Sequence, residues 1–303
     1  MVTVVIPTRN RPRLLATRAL PTALAQEGVA IEVIVVDDGS EPPVEVPGDP
    51  RARLIRHSIP RGVAAARNAG IGAAEGEWVA FLDDDDLWSP LKLREQLAAL
   101  AGGGDFCYSA AVLLDGGLRP MRIATAPSPS RLLGELARRN VLPAGSSNVV
   151  ARRALLRELG GFDESFGHLD DWDCWLRLAD GHVARACESV LVAYILHAGG
   201  RVQHDYAGQG GELDRLADKH ADLERRIGTA LDRHDFARYL AVSQRRAGHP
   251  VAAARTYLAS AREHRSVGDL ARAGAAVARL APRVQPRIAV PDWVAPQLAQ
   301  VNR

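Results

Sequence analysis

Four consecutive carboxylates, Asp83-Asp84-Asp85-Asp86, follow the apolar segment Trp78-Val79-Ala80-Phe81-Leu82. That segment has the length and composition of a buried strand, so it delivers a dense negative cluster to one edge of a sheet. Two such carboxylates ~5 Å apart repel by roughly 3 kcal/mol at an effective dielectric of ~20. A hard divalent cation offsets that repulsion, and oxygen-only ligands suit Mg²⁺ or Mn²⁺. A metal at a strand end of an α/β sheet usually faces a phosphate-bearing ligand. The plain alternative is a solvated acidic turn that caps the helix beginning near Ser89-Pro90.

The elements that must position this cluster alternate between strand and helix over the first hundred residues. Val2 to Ile6 is a continuous apolar run, as expected for a parallel strand covered on both faces. Pro7-Thr8-Arg9-Asn10 breaks it, and a helix pattern follows over 12–26 until Gly28. A second strand over 31–36 stops at Asp37-Asp38-Gly39-Ser40. A loop over 41–50, a short strand over 53–56, an Ala-rich helix over 62–74 and the strand over 78–82 complete the series. Such alternation implies right-handed crossovers and a parallel sheet. Ligands of these sheets bind outside the carboxyl ends of the strands. Three strands here end in polar clusters, all on one edge.

Further along, 105–113 reads as a strand, 132–139 as a helix and 146–150 as a strand opening with small residues. A turn at 160–164 precedes a helix over 170–179, whose opening acids complement its positive N-terminus. Residues 191–196 read as the last strand of this unit, followed by a polar, Gly-containing stretch from His197 to His204. Beyond 211 the pattern is helical only. Small residues around Tyr239–Tyr257 hint at a tetratricopeptide-like hairpin, but a stable array needs about three repeats. Helices docked on the first domain are the simpler reading. The chain therefore divides into a domain over 1–210 and a helical region over 211–303.

With 303 residues there is room for one domain of about 200 and a smaller one. A formal net charge of +2, with no basic run interleaved with aromatics, excludes nucleic acid as the expected partner. Cys107, Cys174 and Cys187 are widely spaced and form no Cys-x-x-Cys, as expected of free thiols in a reducing cytoplasm. No leader pattern precedes the first strand, and no run approaches ~18 apolar residues. A cytoplasmic location is expected. The region 211–303 carries 16 Arg/Lys against 10 Asp/Glu, which is compatible with peripheral contact with an acidic membrane surface.

Together the segments VTVVIPTRNR, IEVIVVDDGS, GVAAARNAGIGAAEGEWVAFLDDDDLW, GGFDESF and DDWDCWLRL resemble inverting family 2 glycosyltransferases with a GT-A fold. The resemblance covers roughly residues 1–200, with the motifs in the family's order. It implies a Rossmann-like α/β fold with a mostly parallel central sheet and helices on both faces. It also implies roles. Pro7, Thr8 and Arg9 shape the base pocket. Asp38 accepts from the ring nitrogen of uracil, and a carboxylate is a suitable acceptor for an imide N–H. Arg61 and Arg67 flank the start of the Ala-rich helix, where backbone N–H groups and positive charge meet a phosphate. In the acidic run the family's Asp-x-Asp pattern fits Asp83 and Asp85, but Asp at every position leaves the register open by one residue. Asp83 or Asp84 then binds ribose or sugar hydroxyls, and Asp85 ligates the metal. Relatives place the catalytic base as the second acid of a Glu-Asp pair. Here the pair is Asp170-Asp171, so Asp171 is the candidate base. Trp172 is a candidate for stacking on a sugar, against the alternative of core packing. His197 is a candidate metal ligand, since a neutral imidazole suits Mn²⁺.

The expected reaction is metal-dependent transfer of a sugar, with inversion, from a UDP- or dTDP-sugar to an acceptor hydroxyl. The acceptor is a glycan, a lipid-linked intermediate, a natural product or a peptide, and a homodimer is compatible with the sequence. Two rivals are a nucleotidyltransferase and a non-catalytic sugar-nucleotide-binding scaffold. The first normally carries a Gly-rich basic loop after the first strand, where this chain has Pro7-Thr8-Arg9-Asn10. The second is disfavoured by the presence of both the acidic run and Asp171.

Overall fold

The computed structural model describes residues 1–196, 206–246, 248–278 and 290–296, with side chains of the helix from 206 described from 210 onward. They fall into two compact units. The first holds residues 1–136, 140–195 and 290–296. The second holds 137–139 and the described part of 196–286.

Nine strands form the sheet of the first unit: β1 Val2–Thr8, β2 Ile31–Asp38, β3 Ala52–His57, β4 Trp78–Phe81, β5 Leu87–Trp88, β6 Phe106–Asp115, β7 Pro120–Ala124, β8 Val150–Arg152 and β9 Ala184–Leu196. Their order is β3-β2-β1-β4-β8-β6-β9-β5, with β7 paired to β6. β3, β2, β1 and β4 run parallel, with Ile6 opposite Val35 and Val5 opposite Phe81. β1 is buried at every position, as its unbroken apolar run requires. The expectation of a mostly parallel sheet holds for this half only. The pairs β4–β8, β6–β8, β6–β7 and β5–β9 are antiparallel.

Helix α1 (Val63–Ala73) buries Ala64, Ala65, Ala66 and Gly70, small residues that let its axis approach the sheet closely. On the other face a helical segment over 12–24, with a π-turn at Leu15–Ala19, buries Leu15, Ala19, Leu20 and Ala23 in the core with Val33, Val35 and Trp88. Leu15 is fully buried there, so truncation to Ala costs roughly 2–5 kcal/mol. Helix α2 (Lys92–Leu100) begins after the acidic run, and α3 (Asp170–Ala179) has the bounds that its opening acids suggested.

Three expectations are corrected. Residues 145–148 form a 3-10 turn, not the start of a strand, because Ala144 and Gly145 have φ of 58° and 48°, outside the strand region. Asn148 there bonds Ser109 from a buried position, a side-chain alternative to a ladder. The helix from Leu132 stops at Leu136, and residues 137–139 join the second unit, where Arg138 meets Asp232 at 3.4 Å. Residues 290–296, placed by sequence in the helical region, belong to the first unit. Trp293 Nε1 donates to the Val190 carbonyl at 3.0 Å, and Val294 is buried with Leu87, Val112 and Ile195.

The second unit contains α4 (Tyr206–Lys219), α5 (Ala221–Ile227), α6 (Arg233–Arg246), α7 (Pro250–Glu263) and α8 (Val267–Val277). Ala241, Ala253, Ala254, Tyr257, Ala273 and Ala276 make the contact between the last three. Buried Asp269 ties them together, accepting from Arg238 Nε at 2.9 Å and Ser260 Oγ at 2.8 Å and pairing with His234 Nε2 at 2.7 Å. Among the described residues no helix is long and apolar enough to cross a membrane.

Candidate active site

Pro7 and Thr8 end β1, and Asp83 to Asp86 follow β4, the strand next to it. The four acids are not equivalent. The side chains of Asp83 and Asp85 are 31% and 17% exposed, whereas Asp84 is 5% exposed and Asp86 fully buried. Both oxygens of Asp84 are engaged, by Thr8 Oγ at 2.8 Å and by Arg11 Nη1 at 3.0 Å. Asp86 accepts from Ser147 Oγ at 2.5 Å and from the Ile195 N–H at 3.0 Å, so it fastens the run to the 145–148 turn and to β9. Ser147 Oγ also accepts from the Asp83 N–H at 3.0 Å. Burial and the flanking acids push the Asp86 carboxyl well above its ordinary range. The outward pair is thus Asp83 and Asp85, one residue apart.

Arg67, reached from α1, lies at the centre of the edge. It is 5% exposed, donates from Nη1 to Asp170 at 2.6 Å and from Nη2 to Asp83 at 2.8 Å, and lies 5.2 Å over the Phe162 ring. Its two terminal nitrogens each donate to a carboxylate. This one side chain joins the end of β4 to the start of α3. Asp171, the next residue, is half-buried, and Asn140 Nδ2 reaches both its oxygens at 3.4 Å. Burial, then the neighbouring charge of Asp170, pushes the Asp171 carboxyl up to about 7, against the opposing pull of Arg67. Gly145 leaves room for it: a Cβ there would sit 2.9 Å from Asp171 Oδ2, at a positive φ besides. Trp172 belongs to the core, with its Nε1 donating to the Leu136 carbonyl at 2.7 Å, so stacking on a sugar is not its place.

At the end of β2, Asp38 accepts from the backbone N–H of Arg61 at 2.8 Å and of Gly62 at 2.9 Å, and pairs with His57 Nδ1 at 2.8 Å. It fixes the loop from β3 to α1, and a carboxylate with about four acceptor directions keeps one for a further donor. Gly39 is required in the adjoining turn, since a Cβ there would meet the Pro60 nitrogen at 2.8 Å. The Arg61 side chain is exposed and pairs with Glu164 at 3.1 Å, while Arg9 is partly buried and its buried Nε has no hydrogen-bond partner among the described residues. His197 lies outside the described residues.

The donor set suits a hard cation. Asp83 and Asp85 offer oxygen only, and burial, then Asp84 and Asp83, push the Asp85 carboxyl up to about 7, a load that a cation relieves. Among the described residues no three His, Cys, Asp or Glu side chains converge as a ready cage. The fit is that of a Mg²⁺-type site, with one or two carboxylates completed by substrate phosphates and water. Arg11, whose Nη1 is also 2.9 Å from Asp85, Ser147 and Asn140 are the site residues that sequence reasoning missed. Arg11 had a weak signal, a second Arg two positions after Arg9 at the PTRN break. Ser147 and Asn140 had none, because only folding brings them to the acids.

The "Glycosyl transferase family 2" model matches residues 3–160, and "Glycosyltransferase like family 2" matches residues 130–234. The chain is 37% identical over 201 residues to the succinoglycan biosynthesis protein ExoO of Rhizobium meliloti, covering 61% of this chain and 52% of that one. It is 34% identical to the pre-mycofactocin glycosyltransferase of Mycobacterium tuberculosis, covering 73% and 48%. With the glycosyltransferase YwdF of Bacillus subtilis it shares 32% identity, covering 72% and 84%. The chain spans about half the length of the first two. The crystal structure of S. aureus TarS 1-349 in complex with UDP-GlcNAc superposes with a TM-score of 0.56 at 17% identity, covering 81% of this chain and 72% of that one. That likeness shows the GT-A-type α/β fold. From the extent of the family match and the YwdF coverage, the chain belongs to glycosyl transferase family 2.

Proposed function

We propose that the chain transfers a sugar from a UDP- or dTDP-sugar to an acceptor hydroxyl with inversion at the anomeric carbon. The observation that supports this reading is the Arg67 bridge, which links the acidic edge after β4 to the first turn of α3. Asp171 is then the base: it takes the acceptor proton as the acceptor oxygen bonds to the anomeric carbon and the bond to the diphosphate breaks. A base with a carboxyl near 7 is tuned for that work at neutral pH. Asp83 accepts from donor hydroxyls, and Asp38, Pro7, Thr8 and Arg9 frame the base. Asp85 holds a Mn²⁺ or Mg²⁺, which supplies charge neutralisation at the departing diphosphate. Support for a uridine donor comes from the TarS neighbour crystallised with UDP-GlcNAc. Names such as succinoglycan biosynthesis and pre-mycofactocin glycosyltransferase leave the acceptor as a glycan or a natural product.

The test is release of nucleoside diphosphate from a panel of UDP- and dTDP-sugars with Mn²⁺ and hydroxyl acceptors. Turnover of at least one donor is expected. No calorimetric binding of any uridine or thymidine diphosphate overturns the reading.

A further inference from the structure

Arg11 follows β1 and reaches across the sheet edge to the acidic run. One nitrogen, Nη1, lies 3.0 Å from Asp84 Oδ1 and 2.9 Å from Asp85 Oδ2. Thr8 holds the other oxygen of Asp84, so Asp84 is anchored whatever Arg11 does. The Arg11 side chain is 32% exposed, against 5% for Asp84 and 17% for Asp85. Asp85 is the acid proposed above to hold the divalent cation, and the inference rests on that reading.

Arg18, buried beside the run, also reaches Asp85, with Nη1 3.3 Å from its carbonyl oxygen. We propose that the Arg11 guanidinium is the exchangeable counter-ion of the Asp85 carboxylate, competing with the divalent cation and leaving Asp85 for the donor diphosphate when metal and nucleotide bind together. A guanidinium stays charged throughout the working pH range, so the competition does not relax by deprotonation. It cannot stay on Asp85 beside a divalent cation, because the two repel. A diphosphate is the acceptor its planar fork matches best, and the ligand that brings that acceptor to the same edge is the donor. Arg11 therefore makes metal binding weak in the free protein and strong in the presence of nucleotide. By linkage, metal and nucleotide raise each other's affinity by the same factor. Arg11 is a positioning residue in this account: it sets the order in which the site is loaded.

The test measures Mn²⁺ binding to the full chain by the electron paramagnetic resonance signal of free Mn²⁺, with and without UDP. The proteins are wild type, Arg11→Ala and Arg11→Lys. Without UDP, Arg11→Ala is expected to bind Mn²⁺ on the order of tenfold more tightly than wild type, with Arg11→Lys between them. UDP should then strengthen Mn²⁺ binding less in Arg11→Ala than in wild type. Equal affinities of wild type and Arg11→Ala in the absence of UDP overturn the proposal while leaving the cation at Asp85 intact. No Mn²⁺ binding by any of the proteins with UDP present removes the cation itself, and this inference with it. Arg11→Gln, which discharges the position but keeps a donor for Asp84, replaces Arg11→Ala if the latter does not fold.

Discussion

For single residues the proposal turns on Asp171 as the base, and the surroundings of this carboxyl prescribe a pH dependence. Its carboxyl is raised to about 7 by burial and by Asp170. A base must be deprotonated to work, so kcat/KM should fall about tenfold per pH unit below about 7 and level off above it. A profile flat from pH 5 to 8 would contradict the assignment. The four acids of the run also differ in exposure. In the sequence its register was open, because four identical side chains carry no phase. Exposure sorts them: Asp83 and Asp85 face outward, while Asp84 and Asp86 are consumed by Thr8, Arg11, Ser147 and the Ile195 N–H. Such contacts come from chain positions some 60 to 110 residues away, and spacing cannot reveal them.

Among the elements, Arg67 has neighbours that its place in the sequence does not reveal. A basic residue early in an Ala-rich helix suits a phosphate when read along the chain. In the fold that helix lies against the β4 edge and the start of α3, and both neighbours present acids. Arg67→Ala should leave Asp83 and Asp170 uncompensated and cost about 3–5 kcal/mol. Urea denaturation of the ligand-free protein checks this. Unchanged stability with only a loss of nucleotide affinity would restore the phosphate role. Strand and helix alternation made β1 to β4 and α1 legible, because unbroken apolar runs and polar strand ends are local signals. β5, with two residues, and the 145–148 turn were not legible, since Trp88 and Ser147 are placed by each other: Trp88 Nε1 donates to the Ser147 carbonyl at 2.7 Å.

For the molecule as a whole, the family and the α/β class were legible in motif order, whereas the return of residues 290–296 to the first unit was not. That stretch is short, and its contacts with Val190 and Ile195 depend on β9 being already in place. Global stability has its own pH signature through Lys92, a fully buried amine over Trp88 that donates to Gln96 at 2.7 Å. Burial lowers its ionisation to about 7, against 10.5 in the unfolded chain. Between those values the unfolded chain binds more protons, so this group's contribution makes stability rise with pH by at most about 1.4 kcal/mol per unit. The penalty is fully present below pH 7. Lys92→Met should stabilise the protein by about 1–4 kcal/mol at pH 7 and lose that advantage by pH 10. Denaturation at the two pH values checks it, and an equal gain at both would contradict a neutral buried amine.

The proposed chemistry requires the acids after β4 and the acid opening α3 to serve one donor site. Calorimetric donor binding and nucleotide release, measured side by side on wild type, Asp171→Asn and Asp85→Asn, test it most directly. Near-wild-type donor binding without turnover is expected for Asp171→Asn, and weakened metal-dependent binding for Asp85→Asn. Turnover retained by Asp171→Asn, with donor binding untouched by Asp85→Asn, would contradict it.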